Sequence, residues 1–209
     1  MKLISICGKK ISNPTASFVL LFLALLLSGC ASSQPQPKAW NAAHASALGM
    51  PAPGQSKVVF LRPSHYAYAL HFRIHDGEQM IGRSSSSTFF AYECAPGHHV
   101  FSSSMDNMEI LNADLLPDRI YYVKVSAVMG MWVGGVSLTP LYPAGKEIKW
   151  DRLAGILGGL PESSITSADQ EADMKNIEGY MERLKKHQAE ADKSGNKILP
   201  DYGQTSPLQ

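Results

Sequence analysis

Short runs of alternating residues, separated by turn residues, constrain the fold of this chain more than any other feature. From Tyr68 to Ile74, large apolar residues occupy every second position, and Ala, His or Arg stands between them. A period of two puts the apolar set on one face of an extended strand, which predicts a half-buried β-strand. The Asp76-Gly77 pair that follows is a strong hairpin signal. The sequence therefore predicts antiparallel β-structure here.

The same kind of pattern recurs along the middle of the chain. Turn residues such as those in Ala95-Pro96-Gly97 separate the runs. Short strands with turn signals about every 8–12 residues are typical of a β-sandwich. We therefore expect a mainly-β fold, a small antiparallel β-sandwich over residues 56–142. The further expected strands are 57–62, 78–83, 88–94, 98–103, 108–114, 120–128 and 136–142.

Several motifs in this region resemble one group of domains. They are Val-Val-Phe-Leu-Arg-Pro at 58–63, Ile-Gly at 81–82, Phe-Phe-Ala-Tyr at 89–92, Ala-Pro-Gly-His-His at 95–99 and Tyr-Tyr-Val-Lys-Val at 121–125. They resemble an uncharacterised domain family of bacterial lipoproteins, akin to the PEGA and carboxypeptidase-regulatory-like sandwiches. The resemblance implies a prealbumin-like β-sandwich that serves as a structural or binding module. It implies no catalytic residue, and we expect no cofactor.

The N-terminal segment has the pattern of an export signal. Lys2, Lys9 and Lys10 precede an unbroken apolar run over residues 18–27. Ten residues of helix reach about 15 Å, which is half of the roughly 30 Å hydrocarbon core of a bilayer. The run is therefore too short for a membrane-spanning helix, and a cleaved signal peptide over residues 1–29 is favoured.

The apolar run ends in Leu27-Ser28-Gly29-Cys30. This order is similar to the lipobox of bacterial lipoproteins and implies cleavage between Gly29 and Cys30. The resemblance also implies a diacylglyceryl thioether and acyl chains such as palmitate on Cys30, and more than one chain gives stable membrane attachment. Ordinary cleavage at a small-residue site is the alternative. Because no Asp follows Cys30, the resemblance implies the outer membrane, facing the periplasm.

The composition after Cys30 divides the chain further. Residues 30–55, rich in Pro, Ser and Gln, predict a flexible tether, residues 143–193 a helical segment and residues 194–209 a loose tail. The signal contains three lysines and no acidic residue, so the rest of the chain keeps 16 basic against 18 acidic residues. Nucleic-acid binding needs a concentrated basic patch, and we therefore expect no nucleic-acid partner.

The helical segment contains two predicted helices. The first lies in residues 144–157 and ends at the Gly158-Gly159 pair, and the second covers Ser167–Lys193 after a capping box at Ser167–Gln170. An apolar stripe on the second helix packs on the chain's own sandwich or pairs with a second copy or another envelope protein. Trp132 in the glycine-rich bend is either part of the core or exposed in an apolar loop that contacts a partner or the bilayer. Together with the stripe, an exposed Trp132 gives a candidate partner surface. Its residues are Trp132, Met174, Ile177, Met181 and Leu184.

Metal or nucleophilic chemistry has little support in the sequence. His71 and His75 are four strand residues, roughly 13 Å, apart, and neither a His-Glu-x-x-His nor a Cys-x-x-Cys motif is present. We therefore expect no metal site and place the histidines at the surface or in turns. Cys94 lies in a strand and, with Cys30 lipidated, has no intramolecular partner. It is either a buried small hydrophobic residue or a reactive thiol.

Three functions remain open from the sequence. The leading one is a non-catalytic lipid-anchored protein whose sandwich binds another envelope component. The second is a glycan or small-molecule module, which needs a concave aromatic pocket near Tyr66, Tyr68, Trp132 or Tyr142. The third is an enzyme, with hydrolysis as the reaction class. It needs a convergent cluster such as His71, Arg73 and Glu93.

Overall fold

The computed structural model describes residues 49–129 and 134–204. The strands are β1 Ser56–Arg62, β2 Phe72–Asp76, β3 Gln79–Ser84, β4 Thr88–Cys94, β5 Gly97–Ser104, β6 Met108–Leu115, β7 Arg119–Met129, β8 Gly134–Leu141 and β9 Lys197–Ile198. The helices are α1 Trp150–Gly159, α2 Ser167–Met174, α3 Ile177–Ser194 and a 3-10 helix at Pro200–Tyr202. The prediction of a mainly-β fold with a C-terminal helical segment is confirmed.

The strands form two sheets. The first has the order β4-β1-β7-β8 and the second the order β3-β2-β5-β6-β9. Most neighbours are antiparallel, but β1 pairs with β7 in parallel, as β6 does with β9. The chain crosses to the second sheet twice between β1 and β7, so that β7 returns in the direction of β1. The expectation of a purely antiparallel arrangement is therefore wrong for these two pairs.

The two sheets pack face to face around a shared apolar core. The ring of Phe60 on β1 meets that of Phe101 on β5 edge-on, with centroids 5.4 Å apart. Alternate residues of β1 point away from this core, and Val59 and Leu61 pack under Leu153 of α1. Because both faces of β1 are covered, the strand is apolar almost throughout rather than alternating. Helix α1 thus covers the outer face of the first sheet.

The second strand starts later than its alternation predicts, at Phe72. The guanidinium of Arg62 is buried and donates hydrogen bonds of 2.7–2.8 Å to the carbonyls of Tyr66, Ala67 and Leu70. These three bonds curl the chain around the charge, and Ala67 takes a positive φ of 53°. The hydrogen bonds from this buried charge to backbone carbonyls override the period-two pattern here.

The predicted second helix is divided into α2 and α3. Helix α2 is capped one residue earlier than expected: Asp169 N donates to Thr166 Oγ1 at 3.2 Å and Thr166 N donates to Asp169 Oδ2 at 3.0 Å. The chain then bends at Asn176, whose φ and ψ are −117° and 5°. Helix α3 ends at Gly195, which adopts the left-handed conformation that favours glycine at a helix end.

Both ends of the described chain are more ordered than the sequence predicts. Residues 49–55 were expected in the flexible tether, but Lys57 Nζ donates to Gly49 O at 2.6 Å and Ala52 N donates to Glu93 Oε1 at 2.8 Å. Residues 197–204 were expected in the loose tail, but Ile198 is buried in the shared core and Gln204 exchanges two backbone hydrogen bonds with Ile120. Burial of Ile198 and these bonds fix segments that composition alone marks as loose.

Candidate functional site

A cavity of about 730 Å³ lies between the outer face of the second sheet and helices α2 and α3. Strands β2 and β3 and the end of β5 form one wall, and the two helices form the other. Most of its lining residues are polar or charged. They are His71, Arg73, His75, Arg83, Ser104, Asp169, Asp173, Asn176, Gly179, Tyr180 and Arg183.

A buried histidine and a buried aspartate connect the two walls. His75 Nε2 lies 2.8 Å from Asp173 Oδ2, and the two side chains are 1% and 9% exposed. The ring of Tyr180 packs against the imidazole with centroids 4.1 Å apart, and its hydroxyl donates to Ser102 Oγ at 2.8 Å. Strand β2 therefore holds α2 through a polar pair rather than through apolar contacts alone.

The protonation state of His75 follows from its two ring nitrogens. Nε2 faces a carboxylate, whereas Nδ1 is buried with no hydrogen-bond partner in the described part of the chain. A proton on Nδ1 would be a buried, unsatisfied donor, so the neutral ring with its proton on Nε2 is favoured. Burial accordingly lowers the pKa of His75 and outweighs the opposing effect of Asp173.

Three arginines line the cavity above this pair. Arg83 Nη1 donates to Asp169 Oδ1 at 2.9 Å. Arg73 Nε is 3.8 Å from Asp173 Oδ1, and Arg183 Nη2 donates to the backbone carbonyls of Met105 and Asn107, at 3.3 and 3.4 Å. The cavity therefore presents guanidinium groups that its own carboxylates do not fully engage.

A second histidine–aspartate pair lies away from the cavity, near the turn after β4. His99 Nδ1 is 2.7 Å from Asp76 Oδ2, and His99 Nε2 is 2.8 Å from Ala95 O. Both nitrogens face acceptors, so both carry protons. The hydrogen bond with Asp76, followed by the contact with Cys94, raises the pKa of His99 to about 10. Cys94 itself is free and buried, as expected for a small hydrophobic residue.

The structure separates the residues that the enzyme hypothesis requires. His71 and Arg73 line the cavity, but Glu93 pairs with Lys57 on the other sheet, 3.7 Å from its Nζ. The surface or turn role predicted for the histidines is wrong for His75, which is buried under α2. Within residues 49–129 and 134–204, no three metal-ligating side chains come together.

The aromatic residues predicted for a ligand pocket take different positions. Tyr66 and Tyr68 are exposed on the turn around Arg62. Tyr142 stacks on Tyr202 with centroids 4.2 Å apart, and both line a smaller cavity of about 380 Å³. Trp132 lies outside the described residues. Tyr142 and Tyr202 are the aromatic residues among the lining of this smaller cavity, and their rings stack on each other.

The four helical residues of the predicted partner surface do not form one uninterrupted stripe. Met174 lies at the end of α2 and is 71% exposed, whereas Leu184 on α3 is buried in the protein's own fold. Ile177 and Met181 are half-buried. Leu184 therefore contributes to packing α3 on the sheet.

The lipobox residues Leu27, Ser28, Gly29 and Cys30 lie outside the described residues. Among the helices in the described part of the chain, none has both the length and the apolar character that crossing a membrane requires.

Sequence reasoning did not find the cavity, although two spacings point to it. Arg73 and His75 are two apart on one strand, and Asp169 and Asp173 are four apart on one helix. Each spacing places two side chains on a common face. Local sequence patterns do not predict that these two polar faces pack on each other, because Asp169 lies 94 positions after His75 in the chain.

Comparisons with known proteins do not assign this chain to a family. No family model matches the chain, no curated protein matches it and no solved structure matches it.

Proposed function

We propose that this chain is a lipid-anchored protein of the bacterial envelope whose non-catalytic β-sandwich domain binds a small molecule. The observation that carries the proposal is the cavity of about 730 Å³ between the second sheet and helices α2 and α3. Its volume suits a small-molecule ligand, and such sites are concave with a few convergent polar groups. The face-to-face packing of the two sheets supports a β-sandwich as its scaffold.

The pairing of the polar groups in the cavity supports binding rather than catalysis. Asp173 is engaged by His75, Asp169 holds the N-terminus of α2 and the hydroxyl of Tyr180 donates to Ser102. A general acid or base must reach the reacting atom with an available proton or lone pair. Each of these three groups is instead engaged by another group of the protein.

Gly179 on α3 offers a direct test of the cavity. Gly179 lines the cavity, and a Cβ built there meets no atom within 4 Å, so a side chain can begin there without a clash. We expect native mass spectrometry to detect a small molecule that co-purifies with the wild-type protein. Gly179→Trp should abolish the binding of this molecule. Gly155→Trp is the matched control, because Gly155 is an exposed helical glycine on α1 with equally open space.

Two results would contradict the binding function. One is a co-purified molecule that Gly179→Trp retains as fully as Gly155→Trp. The other is the absence of a bound molecule from all three proteins.

The lipid attachment rests on the Leu-Ser-Gly-Cys order at residues 27–30. We expect the chain to incorporate an alkyne-labelled palmitate in a bacterial host and to fractionate with the outer membrane. Cys30→Ser should lose the label, whereas Cys94→Ser should keep it. A Cys30→Ser protein that is still labelled and processed would refute the lipidation.

A second candidate function is binding of another envelope protein or of a second copy of this chain. It is favoured by Met174 on α2 and Met129 at the end of β7, which are 71% and 74% exposed. Large apolar side chains at a surface often mark contact sites. A photo-crosslinking residue at Met174 should capture one discrete partner in intact cells. Equal yields from position 174 and from exposed Lys186 would argue against this candidate.

A further inference from the structure

The charged side chains that line the cavity differ in how fully other protein groups engage them. Arg73, Arg83 and Arg183 contribute three guanidinium groups, whereas Asp169 and Asp173 contribute two carboxylates. Asp169 accepts from Thr166 N and from Arg83, and Asp173 is paired with the buried His75. Both carboxylates are therefore committed to holding the protein together.

Arg73 and Arg183 carry the guanidinium groups that the carboxylates of the cavity engage least. In the described part of the chain, no carboxylate lies within 4 Å of Arg183, and its two contacts with backbone carbonyls are long for a charged donor. Arg73 is 49% exposed and approaches Asp173 only through Nε, at 3.8 Å. Both side chains line the cavity, and within residues 49–129 and 134–204 their remaining N–H groups have no hydrogen bond to a protein acceptor.

Other ligand chemistries fit the cavity less well. A cation would need a free carboxylate, and neither Asp169 nor Asp173 is free. Stacking of a sugar ring would need an open aromatic face, but Tyr180 packs against His75. A planar guanidinium presents donors in a fork that matches a carboxylate or a phosphate.

We infer that the cavity binds its small molecule through an oxyanion group, a phosphate or a carboxylate, that Arg73 and Arg183 hold. The inference rests on the proposed function, because it names the chemistry of the ligand that this cavity takes. The oxyanion supplies acceptors to N–H groups of the two guanidinium groups.

Titration calorimetry on the full-length chain at low salt tests the inference. The probes are inorganic phosphate, succinate, monomeric short-chain phosphatidylglycerol and glucose as the neutral control. We expect saturable binding of at least one of the three anions and none of glucose. The phosphate-bearing probes separate a soluble phosphate from a lipid headgroup, and succinate identifies a preference for carboxylates.

Variants show whether the two arginines carry the binding. The double variant Arg73→Gln/Arg183→Gln should weaken the affinity at least tenfold. Arg152→Gln should leave it unchanged, because Arg152 is an exposed arginine on α1, outside the cavity. Circular dichroism spectra and thermal unfolding of each variant separate a lost site from a lost fold.

The outcomes distinguish this inference from the proposed function. A co-purified neutral molecule that Gly179→Trp removes and the double arginine variant retains would keep the cavity as a binding site and overturn the oxyanion. Equal anion affinity in the wild type and the double variant would also overturn it. Retention of the co-purified molecule by Gly179→Trp would instead refute the proposed function itself.

Discussion

Two histidine–aspartate pairs in this protein have nearly equal nitrogen–oxygen distances, but their histidines differ in charge. His75 and Asp173 lie 2.8 Å apart between the second sheet and α2, and His99 and Asp76 lie 2.7 Å apart beside the turn after β4. His75 is neutral and His99 is a cation. Proximity to a carboxylate therefore does not decide the charge of a histidine by itself.

The second ring nitrogen accounts for the difference. His99 Nε2 donates to Ala95 O, so the doubly protonated ring is fully satisfied. His75 Nδ1 has no partner in the described part of the chain, so a second proton would be buried without an acceptor. The His99 pair also keeps more contact with water, with side chains 15% and 14% exposed. Desolvation is the larger effect on the pKa of His75, and hydrogen bonding is the larger effect on the pKa of His99.

Removal of His75 should have the largest effect on stability. His75→Ala leaves the carboxylate of Asp173 buried with only Arg73 nearby, and it opens a space beside Tyr180. We expect the free energy of unfolding to fall by about 3 kcal/mol, since an unpaired buried charge and a cavity each destabilise. Urea denaturation of the full-length chain measures this.

Asp173→Asn is the matched control for that variant. The amide oxygen still accepts from His75 Nε2, so the loss should be smaller than for His75→Ala. A loss below about 1 kcal/mol in His75→Ala would show that the pair does not hold α2 on the sheet.

Breaking the second pair should cost less. Asp76→Asn removes the negative charge that holds the proton on His99 and that accepts from the hydroxyl of Tyr92 at 3.2 Å. We expect a loss of about 2 kcal/mol at pH 7, typical of a hydrogen bond to a charged group. The pKa of His99, followed by NMR, should move from about 10 towards its ordinary value of 6.5. An unchanged pKa would assign the shift to Cys94 and Ala95 instead.

The two pairs also show what the sequence can and cannot predict. Alternation and turn residues predict the strands, and the Gly158-Gly159 pair predicts the end of α1, because those signals act over a few residues. The order of residues 197–204 and the His75–Asp173 pair depend on contacts between segments far apart in the chain. The turn around Arg62 is local, but it depends on the burial of a guanidinium that no sequence pattern signals. In the sequence, His75 looks like any other polar position on a strand, and only the structure shows that α2 buries it.

The pH dependence of stability should expose the two charge states together. The pKa of His75 is lowered in the folded protein, so unfolding takes up a proton as the pH falls below 6.5, and stability decreases there. The pKa of His99 is raised, so its contribution is complete below pH 6.5 and is lost as the pH rises towards 10. The two histidines therefore limit stability from opposite sides.

Replacing one histidine at a time should remove either the acidic or the alkaline decline in the pH dependence of stability. His99→Gln should lose stability at pH 7 and should differ less from the wild type at pH 9, where much of the contribution of His99 is already lost. His75→Gln should reduce the loss of stability on acidification below pH 6.5. Urea denaturation at pH 5, 7 and 9 measures both, and parallel profiles for the wild type and His99→Gln would refute the charge assigned to His99.

A third pair, His98 with Asp114, should show the smallest effect. His98 Nδ1 lies 3.0 Å from Asp114 Oδ1, but the side chains are 58% and 39% exposed, and Lys197 also pairs with Asp114. Surface pairs of this kind contribute about 0.5 kcal/mol or less, so His98→Gln should unfold at nearly the wild-type urea concentration. The three pairs differ by at most 0.3 Å in distance and strongly in burial. If His98→Gln cost as much as Asp76→Asn, the pairing distance would set the energy, and burial and the second nitrogen would not.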